Sequence, residues 1–170
     1  MQIKAYLRRT ALITGVLAAV TIPATASAEN LPMCQTSMLG LNIQRYPDNP
    51  SGQNHLTLVL TNTSSQECTL QGFPGVDLVG PNDPTYGPTY SVPRRSENPE
   101  PLTIAPGGSV GSDLAYVTGG ADGWRPDTVS VTPPDNTTQL QVPWNSELRV
   151  LRQDGATHPG THVGPLQSAH

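Results

Sequence analysis

Beyond residue 28, clusters of Pro, Gly, Asn and Asp interrupt the chain roughly every 8–12 residues. No segment between them holds a 3.6-residue period for three turns, so the chain has no room for long amphipathic helices. What remains are short extended segments. The 18 prolines, 16 glycines and aromatic content of only 5% point the same way, toward a turn-rich β fold.

His55–Thr61 shows the pattern most clearly. Leu56, Leu58 and Leu60 alternate with Thr57, Val59 and Thr61, a period of two with one buried face. Asn62-Thr63-Ser64-Ser65 then turns the chain. Cys68–Phe73 reads as the next strand, with Cys68, Leu70 and Gly72 on one side, and Pro74-Gly75 as a corner. Val76–Val79 follows, then a polar stretch from Gly80 to Pro88. Thr89–Pro93 reads as an edge strand, because Pro93 cannot donate to a ladder. Leu102–Ala105, Ser109–Val117, Thr128–Thr132, Gln139–Val142, Leu148–Leu151 and His162–Leu166 are the remaining extended candidates. Val110, Leu114 and Tyr116 are expected to be buried. About nine short strands at this spacing predict an all-β sandwich in a single domain spanning 29–170.

The first 28 residues read as an export signal. Lys4, Arg8 and Arg9 form a basic start, Thr10–Ile22 is apolar, and Pro23 ends the run. Ala26-Ser27-Ala28 supplies small residues for cleavage before Glu29. The apolar run is too short to span a bilayer. Met33 stands before Cys34 where a lipid-anchored protein needs a small residue. Arg8-Arg9 matches a twin-arginine signal only in part, so either export route fits. Cleavage leaves six arginines, no lysine and 13 carboxylates, a formal net charge of −7. That balance disfavours nucleic acid and anionic lipid as partners.

Cys34 and Cys68 are the only cysteines. In an exported chain they are expected to form a disulfide. They have neither the C-x-x-C spacing of a redox pair nor further ligands for zinc.

The run from Leu56 to Val79, L-T-L-V-L-T-N-T-S-S-Q-E-C-T-L-Q-G-F-P-G-V-D-L-V, resembles a secreted or lipid-anchored domain of unknown function widespread in actinobacteria. That family starts at a first cysteine, matched here by Cys34. It continues with Thr-Asn-Thr and Cys-x-Leu-x-Gly-(Phe/Tyr)-Pro-Gly-Val. Thr61-Asn62-Thr63, Cys68, Leu70, Gly72, Phe73, Pro74, Gly75 and Val76 stand at those places. Leu102–Ser109, Val129–Pro134 and Val163–Leu166 resemble weaker downstream motifs. The resemblance implies an immunoglobulin-like sandwich at the cell envelope or outside the cell, and it implies no reaction. Many members carry a second cysteine pair in the C-terminal half, which this chain lacks. Read physically, Asn62 suits the positive φ of a turn, Gly72 a close backbone approach, and Pro74-Gly75 a fixed corner.

Four constellations deserve weighing for chemistry. Gly107-Gly108-Ser109-Val110-Gly111 matches G-x-S-x-G, but a nucleophile elbow needs a helix after the serine. A Pro-Gly-Gly turn opening a strand is the better reading. Asp113 and His55, His158 and His162 are the other residue types such chemistry would need. His158 and His162 have i, i+4 spacing, but Pro159 and Gly160 lie between them and exclude a helix. Gly119–Gly123 with Asp127 is an acidic loop without the ligand spacing of a calcium site. Trp124, on that loop, and Trp144 are the only tryptophans; in a sandwich so poor in aromatics a core role is the favoured reading, with a contact to a protein or glycan at Trp124 as the alternative. Asn62-Thr63-Ser64 and Asn136-Thr137-Thr138 have the form of glycosylation sequons. No cofactor, metal or catalytic set is expected. The sequence favours a non-enzymatic exported module that contacts an envelope protein or glycan through its loops. A structural or antigenic surface protein without a specific ligand is the alternative, and a serine hydrolase using Ser109 the least favoured.

Overall fold

The computed structural model describes residues 31–49 and 52–168. The expected export signal lies outside the described residues. The strands in chain order are β1 (Leu39–Arg45), β2 (Gln53–Asn62), β3 (Cys68–Leu70), β4 (Gly75–Asp83), β5 (Gly87–Ser91) and β6 (Leu102–Ile104). They are followed by β7 (Ser109–Val117), β8 (Thr128–Thr132), β9 (Leu140–Pro143), β10 (His162–Val163) and β11 (Gln167–Ser168).

One sheet runs β1-β2-β7-β10, with β11 also on β7; the other runs β5-β4-β8-β9. A third, two-stranded piece joins β3 to β6. All named pairings are antiparallel. The alternation in the sequence explains how the two larger sheets meet. Leu56, Leu58, Leu114 and Tyr116 from the first sheet share one core with Val76, Leu78, Val129 and Val131 from the second. Burying each such side chain stabilises the fold by about 1.5–3 kcal/mol. The result is an all-β, sandwich-like architecture.

A second core closes one end of the sandwich. Cys34 and Cys68 form a disulfide with a Cα–Cα distance of 5.0 Å. Around it pack Leu39, Leu60, Leu70, Ile104, Val110 and Leu166. The bridge ties β3 to the segment that leads into β1.

Five elements differ from the sequence expectation, one of them being His162–Leu166, which is strand only at His162–Val163, with β11 following at Gln167–Ser168. β1 was not anticipated, although Leu39, Leu41 and Ile43 alternate with Gly40, Asn42 and Gln44. It pairs with β2 in unbroken register from Leu39↔Asn62 to Arg45↔Leu56. β4 runs on through Pro81 to Asp83, where a polar loop was expected, and its register with β5 shifts between Val79 and Asp83. Pro81, unable to donate, falls inside that irregular stretch. β3 stops at Leu70, short of Phe73, because Gly72 turns to φ 123°. Leu148–Leu151 forms no strand; Val150 makes only single bridges to Thr118 and Trp124.

Candidate functional site

The end of the sandwich opposite the disulfide carries the loops around Trp124. β4 and β5 form a hairpin whose turn is set by Asp83. Its carboxylate accepts from the backbone N–H of Thr85 at 2.8 Å and of Tyr86 at 2.9 Å. Those two bonds, with the Arg152 charge, hold the carboxyl below its ordinary pKa.

Arg152 organises this end. Its side chain is only 4% exposed. It donates to both oxygens of Asp154 at 2.9 and 2.8 Å. It also donates to the carbonyls of Gly87 at 2.7 Å, Thr89 at 2.7 Å and Tyr86 at 3.2 Å. Three rings surround the guanidinium: Trp124 at 4.9 Å, Tyr86 at 5.3 Å and Tyr90 at 5.5 Å. A planar, delocalised cation suits both the aromatic faces and the fork of carbonyls. Asp154 keeps it firmly protonated.

Trp124 is half-buried. Its Nε1 donates to the Pro81 carbonyl at 2.8 Å, and its backbone exchanges bonds of 2.9 and 2.7 Å with Val150. Gly80 makes the approach feasible: a Cβ there would stand 2.9 Å from the Trp124 ring. One side of Trp124 opens on a groove of about 420 Å³. Asn82, Asp83, Asp122, Arg125, Asp127 and Arg149 present polar groups along it. Arg125 is paired with Glu147 at 2.9 Å, and Arg149 donates to the Gly123 carbonyl at 3.1 Å. The groove therefore offers an aromatic edge with charges of both signs, an arrangement suited to recognition.

A family model described as a domain of unknown function (DUF4232) matches residues 34–167, from the first disulfide cysteine into β11. The chain belongs to this family. No curated protein and no solved structure matches it.

Within this DUF4232 domain the remaining sequence candidates fall as follows. Leu70 lies in the disulfide core, Phe73 is half-buried and Pro74 buried. Gly75 opens β4 opposite Thr132. The reading of Asn62 is corrected: its φ is not positive. It ends β2 fully buried, and its amide donates to the carbonyls of Gln66 at 2.7 Å and Ile104 at 2.9 Å. Its Oδ1 accepts from the Ser64 N–H and hydroxyl at 3.0 and 2.7 Å. The turn is thus made by the side chain, an Asx arrangement. Gly72 is needed for its φ, since a Cβ there would meet Pro134 only at an ordinary 3.5 Å.

Ser109 opens β7 and shares a hydrogen bond of 2.8 Å with Thr61. His55 and Asp113 pair at 3.1 Å on the same sheet face. Four residues of strand put Ser109 about 13 Å from Asp113, too far for proton transfer. His158 is exposed and His162 sits in β10, so the two share no helix. Among the described residues no three His, Cys, Asp or Glu side chains gather as a metal would require. Trp144 is core, its ring 5.0 Å from Tyr116 and covered by Arg45 at 4.7 Å. Nothing in the sequence singled out Arg152; its only local signal is Asp154 two residues on.

Proposed function

We propose that this DUF4232 domain is an exported, non-enzymatic recognition module, working at the envelope or outside the cell. It engages a protein or glycan through the loop end around Trp124. The supporting observation is the groove itself, a half-buried aromatic fixed by Arg152 and Val150 and bordered by polar groups that face solvent. Preorganised aromatics lose little entropy on binding. The disulfide and the basic-apolar start of the sequence support export. The separation of Ser109 from the His55–Asp113 pair argues against hydrolysis.

The test is retention of the cleaved protein on separated cell-wall, membrane and secreted-protein fractions. Wild type should be retained saturably by one fraction. Asp122→Ala with Arg125→Ala, both on the surface, should reduce retention without lowering the melting temperature. Retention by no fraction would leave the chain a structural surface protein.

A further inference from the structure

Gly111 occupies the middle of β7, a central strand. It pairs with Val59 of β2 and with Gln167 of β11, in a register with β2 that carries no bulge. Its φ is not positive, so no turn or left-handed backbone calls for glycine there. A glycine inside a regular strand marks a place where something approaches the backbone closely. Here it is the Thr57 methyl group that approaches, and beside it a hollow of about 260 Å³ lies on the outward face of the sheet. A Cβ at this position would stand 2.9 Å from the Thr57 methyl group.

The lining has a definite chemistry. Val59 and bare backbone at Gly111 border it with a small apolar area, while Gln44, Thr57, Asp113 and Gln167 bring amides, a hydroxyl and one carboxylate. Tyr46, half-exposed, also lines it, and its hydroxyl bonds Thr57 Oγ1 at 3.1 Å. No Lys or Arg lines the hollow, which disfavours an anion. The one carboxylate already has His55 at 3.1 Å, which disfavours a strongly bound cation. A ligand with many hydroxyls, one apolar face and no charge fits all of these features. Most of the groups stand on hydrogen-bonded strands, so the site is rigid.

We propose that the hollow over Gly111 binds a neutral saccharide unit, a hexose or N-acetylhexosamine, at a site separate from the loop-end groove. The sugar ring lies over Val59 and the Thr57 methyl group, with Tyr46 at its edge. The amides and Asp113 take its hydroxyl groups.

The test is an amide chemical-shift titration of the ¹⁵N-labelled protein with methyl glucoside, methyl mannoside and N-acetylglucosamine. At least one should give saturable shifts centred on Gly111, Val59 and Gln167. Gly111→Ala should weaken binding roughly tenfold or more by pushing the Thr57 methyl group into the hollow. Gln44→Ala, at an exposed position of edge strand β1, guards against a folding artefact and should weaken it severalfold. Trp124→Ala should leave these shifts unchanged. Absence of saturable shifts with all three sugars would overturn the proposal, as would shifts that survive both Gly111→Ala and Gln44→Ala. Shifts confined to Asp122–Arg125 would overturn it too, while supporting recognition at the loop end.

Discussion

The two ends of the sandwich are held by different means. At one end a covalent bridge, Cys34–Cys68, sits in an apolar cluster. Two asparagines complete it. Asn62 ties β2 to the Ile104 and Gln66 carbonyls. Asn136 accepts from Thr36 at 2.9 Å and donates to the Cys34 carbonyl at 3.0 Å. At the other end there is no covalent tie. Arg152 gathers three carbonyls, one carboxylate and three rings instead. The first end fixes the topology, and its polar side chains are spent on the fold. The second fixes the placement of Trp124 and Tyr86 while leaving them in reach of solvent. That difference is why the proposed recognition surface is placed at the second end, where directional, non-covalent contacts position exposed groups.

The largest expected effect breaks the covalent end. Replacing Cys34 and Cys68 together by Ser should lower stability by about 3–4 kcal/mol, from the chain entropy of the opened loop. Calorimetry should show a fall in melting temperature of roughly 10 °C. A fall of about 1 °C would mean that the apolar cluster suffices alone.

Arg152→Met attacks the other end and should cost about 2 kcal/mol, because Asp154 and the Tyr86, Gly87 and Thr89 carbonyls lose a charged donor. Hydrogen exchange should speed up at the hairpin amides near Tyr86 and spare those near Cys68. Uniform acceleration would erase the distinction between the ends. Asn62→Ala should cost about 2 kcal/mol, since it strands the Ile104 carbonyl in the interior. Urea unfolding would measure it. Ser109→Ala removes only the bond to Thr61 and should change stability by about 0.5 kcal/mol or less. It should leave retention on cell fractions unaltered, whereas a hydrolase would lose turnover.

The smallest effect is a pH response at the loop end. Asp83 titrates below its ordinary 3.8 in the folded chain. Its support for the hairpin is complete above that pH and is lost as pH falls through the lowered folded value. The Thr85 and Tyr86 amide resonances should move in that acidic window, and Asp83→Asn should abolish the movement.

Much of the fold was legible because period-two alternation is a local signal. Leu56, Leu58 and Leu60 declare their face without help from the rest of the chain, and so do Val129 and Val131. β1 carried the same signal in Leu39, Leu41 and Ile43, but Gly40 lies within it and the turn residues near Pro47 follow closely. The β4–β5 hairpin was hidden because Pro81 and Asn82 read as loop, while pairing across the turn overrides that local preference. The disulfide followed from the presence of two cysteines. The candidate site was legible at Trp124 and, as an acidic loop, at Asp122 and Asp127. Arg152 was not, because a buried arginine is defined by partners more than 60 residues away, Tyr86, Gly87 and Thr89. Gly111 was read as part of a G-x-S-x-G string, and only the sheet showed it beneath Thr57 at the border of a hollow.

The most direct test of the central claim is retention on fractionated envelope and secreted material, comparing wild type with Arg152→Met. Arg152 lies behind the groove and does not line it. The account predicts that wild type is retained by one fraction and that the variant, still folded at the disulfide end, loses most of that retention. Equal retention of both proteins would contradict a recognition surface organised by Arg152 around Trp124.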